Sequence, residues 1–332
     1  LRTAKPTIYT VAELAGVSIS TVSRILNKTY RGTEAIRKRV ENAIRKTNFQ
    51  PSPVARRLTG KAVSSQMIGI MAPFFINPFF VEVLKGIYKV IHSAGYHAML
   101  YDVDSKIIKK STLKRIQDDG FLDGVLLVNM HLNVGEYDAL TRLMPAVLVA
   151  AQTDFADSVA VDNYKGMLMG VDYVHGLGHR HLGFINNEND IYETRIREQA
   201  FLDRARALGI EYKIDYRNVD RRSGYLGTRN MVENNPGLSC LVYYSDLMAF
   251  GGLDYLHEAG LRERISLIGF DGFEMTFQVG LTTVVQPMER MGEEGARILL
   301  AKISGASSER VSTLLDPWLY KGATCMRVSD EQ

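Results

Sequence analysis

The sequence predicts an α/β protein: a small all-α head followed by a two-lobed core of parallel sheets flanked by helices. Three observations predict it. Residues 1–50 carry helical periodicity broken by turns, with no strand pattern; from Met67 onward short apolar strands alternate with amphipathic helices; and that alternation runs through two consecutive series. With 332 residues, 46% of them hydrophobic, the chain is long enough to bury a large core behind a small head.

In the head, Thr10 and Glu13 have the spacing of a capping box, so the first helix is expected to open at Thr10. Val11, Leu14 and Ala15 are then expected to pack inward, and Gly16 supplies the turn that ends the helix. Ser18 is placed to cap a second helix whose Val22 and Ile25 or Leu26 point back at the first, leaving Ile19, Ser20, Ser23 and Arg24 outward. A helix presented in this way fits a DNA major groove. Arg24 has the forked donors that match guanine O6 and N7, and Ser20 and Thr21 can bond bases or phosphates. A plain helical hairpin with a solvated face is the competing reading, and charge argues against it. Residues 1–63 hold thirteen basic residues against Glu13, Glu34 and Glu41, a net of +10. The whole chain is only +3, so the remainder is acidic, the asymmetry of a nucleic-acid reader.

Thr33 to Thr47 reads as a third helix capped by Thr33, with Ile36, Val40, Ala43 and Ile44 covering the head's core. Arg37, Lys38, Arg39, Arg45 and Lys46 occupy its other faces, either solvated or on phosphates. The segment Phe49 to Gly60, with Pro51, Pro53 and a terminal glycine, is a linker holding a helix too short to stand alone in water.

In the core, strands are expected at Met67 to Ala72, His97 to Asp102, Val125 to Asn129 and Ala146 to Ala150, separated by helices at Phe79 to Ala94, Ile108 to Asp118 and Gly135 to Leu143. The second series has strands at His181 to Asn186, Cys240 to Tyr244 and Ser266 to Phe270, with helices at Tyr164 to Gly176, Arg197 to Leu208, Ser223 to Asn234 and Asp246 to Ala259. Ligands of such sheets sit beyond the carboxyl ends of the strands, which makes the cleft between the lobes the expected site.

No run approaches the roughly twenty apolar residues of a membrane helix, and no signal-peptide core is visible, so a cytoplasmic protein is expected. Cys240 and Cys325 give no disulfide framework and read as inert thiols. His175, His179 and His181 cluster, but without metal-ligand spacing, and read as a turn with solvent-exposed imidazoles. Neither a nucleophile elbow nor a phosphate-binding glycine loop appears; no enzyme, metal or cofactor is expected.

The head resembles the LacI/GalR family of bacterial transcription regulators. The family pattern T-I-x-x-V-A-x-x-A-G-V-S-x-x-T-V-S-R-x-L-N recurs from Thr7 to Asn27. Further matches are Arg37 with Val40 and Ile44, the Pro-x-x-x-Ala-Arg-x-Leu stretch ending at Leu58, Gly178-His179, Asp246 to Ala249, Ile268 to Asp271 and Leu281 to Val284, so that the resemblance spans the chain. It implies a repressor acting as a homodimer on pseudo-palindromic operator DNA, with a periplasmic-binding-protein-like core that takes a small-molecule effector, a sugar or related metabolite. It also implies a hinge helix at Val54 to Leu58 that folds only on DNA, with Leu58 wedged into the minor groove and Ala55 small enough for close approach. Candidate DNA contacts are Thr7, Tyr9, Ser18, Ile19, Ser20, Thr21, Ser23, Arg24, Asn27, Arg31, Ala55 and Leu58. Carried over residue by residue, the pocket set is Phe79, Phe80, Arg197, Ser245, Asp271 and Gln286: aromatics to stack on a flat ligand face, and Arg197 and Asp271 to bond polar groups from opposite lobes.

The resemblance divides the chain into a head at 1–50, a hinge and linker at 51–63, and a core at 64–332. Within the core, one lobe takes about 64–161 and 287–316, the other about 162–286 and 317–328. Sugar-responsive members often carry an aspartate where this chain has Ala150-Ala151-Gln152, which weakens a simple hexose as effector. The Ala-Ala pair and Thr283 to Pro287 are similar to catabolite-control members, in which a phosphorylated carrier protein is corepressor. A solute-binding protein without DNA function is the rival of another class; it would not need residues 1–63. No leucine heptads close the sequence, so a dimer rather than a coiled-coil tetramer is expected.

Overall fold

The computed structural model describes residues 7–26, 29–47, 49, 65–73, 77–103, 111, 113–114, 116 and 121–328. Asn27, Ala55, Leu58, the expected hinge helix and most of the expected helix at Ile108 to Asp118 lie outside them. The chain divides into two compact units, 1–65 and 66–332, each with its own core.

The first unit holds helices α1 (Ile8–Ala15), α2 (Ile19–Leu26) and α3 (Glu34–Thr47). Helix α1 opens at Thr7 rather than Thr10. The Thr7 backbone N–H donates to Thr10 Oγ1 at 3.3 Å and the Thr10 N–H to Thr7 Oγ1 at 3.4 Å, so a threonine does the work expected of Glu13. The buried stripe runs through Val11, Ala12 and Ala15; Leu14, expected inside, falls on the opposite flank and is 54% exposed. Gly16, at φ 61°, ends the helix in the left-handed region, its N–H donating back to Ala12 and Glu13 carbonyls. Helix α3 closes the unit by burying Val40 and Ala43 against Val11, Ala15 and Val22.

The second unit is built on two sheets. The first contains β1 (Met67–Ala72), β2 (His97–Asp102), β3 (Gly124–Val128), β4 (Ala146–Val149) and β5 (Ser158–Val161), with α4 (Pro78–Ser93) and α5 (Val134–Thr141) between strands. The chain then leaves through α6 (Asn163–Gly176) for the second sheet: β6 (His181–Asn187), α7 (Tyr192–Leu208), β7 (Glu211–Arg217), α8 (Arg221–Asn234), β8 (Cys240–Tyr243), α9 (Asp246–Glu258), β9 (Ser266–Asp271), α10 (Glu274–Gln278) and β10 (Thr282–Val285). Helix α11 (Met288–Ile303) returns to the first sheet, which β11 (Ser312–Leu315) completes, and β12 (Trp318–Tyr320) ends on the second. The strand orders are β11-β5-β4-β3-β1-β2 and β12-β10-β9-β8-β6-β7, parallel throughout except for the antiparallel pair β10–β12.

Strand alternation explains the layering. In β1 and β3, Ile68, Ile70, Leu126 and Val128 face one cluster with α4 and α11, while Met71, Val125 and Leu127 face another on the opposite side. Glycine lets the helices of each layer touch. A side chain at Gly86 of α4 would strike the Glu289 carbonyl of α11, and one at Gly292 the Val83 carbonyl; Gly224 and Gly251 do the same for α8 and α9. Strands β5, β7, β10, β11 and β12 lie outside the strands expected from apolar runs. They are short or, like Glu211–Arg217, polar edge strands whose residues alternate between half-buried and exposed.

The helical head and the interlobe cleft

In the head, the residues proposed to meet DNA share the surface. Tyr9 is 68% and Ile19 40% exposed; Thr7, Ser18, Ser20, Arg24 and Arg31 are exposed too, and Thr21 and Ser23 half-buried. Ile19, Ser20, Ser23 and Arg24 line one face of α2. Its N-terminus is organised by hydroxyls: Ser18 Oγ accepts from the Thr21 N–H at 3.2 Å and lies 2.8 Å from Ser20 Oγ and 2.9 Å from Thr21 Oγ1. Not every basic residue is available to phosphate. Arg39 donates to the Ala15 carbonyl at 2.5 Å and the Gly16 carbonyl at 3.2 Å, tying α3 to the end of α1, and Arg45 donates to Asn42 Oδ1 at 2.6 Å. Composition gave no sign of this; only the fold brings Arg39 to those carbonyls.

In the core, a cavity of about 800 Å³ opens where the carboxyl ends of strands from both sheets converge, as open parallel sheets dictate. Asn129, Ala150 and Val161 reach it from the first sheet; Asn187, Tyr244, Ser245, Asp271 and Gln286 reach it from the second. All six pocket residues proposed from sequence line it. Phe79 and Phe80 meet edge to face at 5.4 Å, Phe80 within the core and Phe79 only half-buried beside the cavity. Three non-glycine residues with positive φ lie there together: Asn129 at 50°, Ala150 at 57° and Asp271 at 146°. Backbone conformations of this kind cost free energy and gather at functional sites.

Arg197 and Asp271 do not come from opposite lobes. Both belong to the second, Arg197 on α7 and Asp271 at the end of β9, because the cleft wall is made by the packing of α7 against that sheet. Arg197 is 3% exposed, its Nε donating to Asn163 Oδ1 at 2.8 Å and Nη1 to the Tyr244 carbonyl at 2.6 Å. Its guanidinium lies over the Phe270 ring at 3.7 Å and the Tyr244 ring at 4.5 Å. Asp271 accepts from Gln286 Nε2 at 2.7 Å. Burial and then the nearby Asp246 charge hold the Asp271 carboxyl well above the usual carboxylate range, with Arg197 opposing them. Asp246 sits deeper, and burial raises it as well. It is satisfied by Gly272 N–H at 2.7 Å, Thr276 Oγ1 at 2.7 Å and Thr283 Oγ1 at 2.6 Å. Ser245 caps α9 through the Met248 N–H at 3.4 Å.

Asn129, His131, Asn163, Glu193 and Tyr244 also line the cavity, none of them among the residues expected from sequence. Asn129 and Tyr244 had a usable signal, their place at a strand's carboxyl end. The histidine turn differs from expectation: His179 is buried, its ring nitrogens 2.9 Å from Ser239 Oγ and 3.0 Å from the Met326 carbonyl oxygen. Cys240 is buried and free, and burial pushes the Cys325 thiol up to about 12. Among the described residues no group of three His, Cys, Asp or Glu side chains could hold a metal, and no helix is long and apolar enough to cross a membrane.

Residues 7–52 match the family model for bacterial regulatory proteins of the lacI family, and residues 171–325 that for a periplasmic binding protein-like domain. The chain is 30% identical over 324 residues to the HTH-type transcriptional repressor PurR of Aliivibrio fischeri, covering 92% of this chain and 94% of that protein. It is 30% identical over 304 residues to the ribose operon repressor of Halalkalibacterium halodurans, covering 90% of each. Among solved structures, a complex of the transcriptional regulator CelR with cellobiose superposes with a TM-score of 0.70 at 25% identity, covering 96% of this chain and 99% of that one. The similarity thus takes in head and core together and runs along nearly the whole length of these proteins: the chain belongs to the lacI family of bacterial regulatory proteins.

Proposed function

We propose that this chain is a sequence-specific transcriptional repressor, cytoplasmic and homodimeric, whose operator affinity is set by an uncharged small molecule held in the cleft. The observation that carries the reading is the union, in one chain, of an outward Ile19–Ser20–Ser23–Arg24 helix face with a cavity of about 800 Å³ whose walls come from both sheets. That volume suits a sugar, nucleobase or nucleoside. Of the relatives named above, two are repressors, one of them of a ribose operon, and the third is a transcriptional regulator bound to cellobiose in its structure. A phosphorylated carrier protein is named for none of them, so the small-molecule reading is preferred. Exposed apolar residues on both lobes, Val81, Tyr88 and Leu100 on one and Met275, Phe277 and Val279 on the other, support self-association.

The mechanism is a two-state one. Head (1–50), hinge (51–63) and core (64–332) act in series: an effector changes the closure of the lobes, closure changes the spacing of two hinges across the dimer, and spacing decides whether Val54 to Leu58 folds with Leu58 in the minor groove. Within the cleft, Asp271 and Gln286 form a donor and acceptor pair for ligand hydroxyl or ring N–H groups, Arg197 supplies its remaining N–H donors, and Phe79 offers a ring face.

Two measurements test the two halves. Affinity for duplex DNA should fall steeply with salt as several phosphates are neutralised, and a flat response overturns the DNA reading. Ribose, cellobiose, cytidine and guanine, screened by melting temperature on wild type and Asp271→Asn, should include a compound that stabilises wild type and binds the variant about 10-fold or more weakly. Undiminished binding to Asp271→Asn removes Asp271 from the site.

A further inference from the structure

We propose that Tyr192 and Glu193, the first two residues of α7, are positioning residues that hold the two walls of the cleft together. This rests on the cleft reading only for the purpose it assigns to the contact. The two side chains are adjacent in sequence, yet each reaches a different loop of the opposite lobe. Tyr192 Oη donates to Gln152 Oε1 at 3.1 Å, just beyond β4, and Glu193 Oε2 lies 3.1 Å from His131 Nε2, just beyond β3. Helix α7 itself belongs to the second lobe, packed on α6 and β6. One helical turn is therefore fastened at two points across the gap.

The Glu193 side of the fastening is the more demanding. Glu193 is 6% exposed, and its Oε2 has no hydrogen-bond partner among the described residues; His131 Nε2 approaches it without hydrogen-bond alignment. Burying a carboxyl oxygen without a hydrogen bond is costly, so the closed arrangement of this side chain depends on the approach of His131, and rotation of the lobes away from each other exchanges that contact for water.

The same residues also bound the ligand. His131 lines the 800 Å³ cleft and, on its other side, a groove of about 610 Å³ lined by Gln152, Phe155 and Tyr192. The two bridges are the partition between these spaces. With the partition closed, the cleft takes a compact ligand; with it broken, cleft and groove join.

Hydrogen exchange by mass spectrometry on the full-length, ligand-free protein tests the assignment. His131→Ala in the first lobe should raise exchange about 10-fold at 189–195 in the second, and Glu193→Gln and Tyr192→Phe should do so at 129–132 and 150–155 in the first. Combining His131→Ala with Glu193→Gln should add little to either alone, because both remove one contact. A residue that served only its own neighbourhood would loosen only its own segment. Faster exchange confined to the substituted lobe, with the opposite segment unchanged, overturns the proposal. Since no ligand is present in these measurements, failure of the effector screen leaves this result standing, and the reverse holds as well. Glu193→Gln and Tyr192→Phe keep the side-chain volume, so the test survives if His131→Ala fails to fold.

Discussion

The head and the cleft use polar side chains in opposite ways. On α2, Ser20 and Arg24 are exposed, at positions a helical wheel puts outward, and the fold asks little of the Arg24 guanidinium. In the cleft Arg197, Asp271 and Gln286 are almost fully buried and already bonded within the protein, so each is a structural element as well as a proposed ligand contact. A DNA reader of this kind can exchange its surface residues without disturbing its fold. The cleft cannot, and its ligand preference is tied to its stability.

Replacing Arg197 sharpens that contrast most. Arg197→Ala removes a buried cation and leaves the Asn163 Oδ1 and Tyr244 carbonyl oxygens without their donor, which should cost about 3–5 kcal/mol of stability. Urea unfolding would show it as a lowered midpoint, and an unfolding free energy within about 1 kcal/mol of wild type would mean that the cleft is no more committed than the head. Arg24→Ala is the matching change on α2. It should leave the melting temperature unchanged and cost about 1–3 kcal/mol of operator affinity, with preference relaxed at one base pair. Weakening that is equal on operator and random duplex would make Arg24 a phosphate contact and the comparison one of charge alone.

This difference also governs how much was legible in the sequence. The head's turn at Gly16, its outward α2 face and the lobes' βα rhythm follow from local periodicity and spacing, and they emerge in the structure nearly in place. What failed was whatever depends on a partner distant in sequence. The cap of α1 is a local exception, a choice between Thr7 and Thr10 three residues apart, whereas Arg39 is drawn to Ala15 from 24 residues away. The assignment of Arg197 and Asp271 to opposite lobes is already at odds with the lobe bounds, since 162–286 contains both; what the sequence could not show is the packing of α7 on β6 that brings the Arg197 guanidinium over the Phe270 ring. Glu193 and His131 are 62 positions apart and meet only across the gap.

Acidification discriminates the two regions in a gentler way, because the head contains no histidine whereas His179 is buried in the core. Burial, with help from the Arg180 charge, holds the His179 imidazole below its ordinary value of 6.5, although the Met326 carbonyl opposes this. The unfolded chain therefore takes up the proton first. The neutral ring's contribution is complete above pH 6.5 and declines as the pH falls below it toward the lower folded value, with a slope of at most about 1.4 kcal/mol per pH unit for one proton. Melting temperatures taken from pH 7.5 to 5.5 should fall more steeply for wild type than for His179→Asn. Equal slopes would place the acid sensitivity elsewhere in the core.

The smallest effect concerns the backbone of the cleft itself. Ala150 follows β4 at φ 57°, a conformation in which its methyl group crowds the following carbonyl and which glycine adopts freely. If cleft residues are held by their surroundings, this strain is imposed by the pairing of β4 with β3 and β5, where the Ala150 N–H donates to the Val159 carbonyl at 2.8 Å. Ala150→Gly relieves the crowding but gives the unfolded chain more freedom to lose, and the two effects oppose each other. Where φ is already positive the relief is the larger, so a net gain of about 0.5–1 kcal/mol is expected, read as a rise in melting temperature with operator affinity unchanged. A loss of stability would show that the methyl packs against the cleft wall strongly enough to repay its strain. Ala150 would then share the dual character of Arg197 and Asp271, and the boundary between structural and ligand-facing residues would disappear even at the smallest side chain in the cleft.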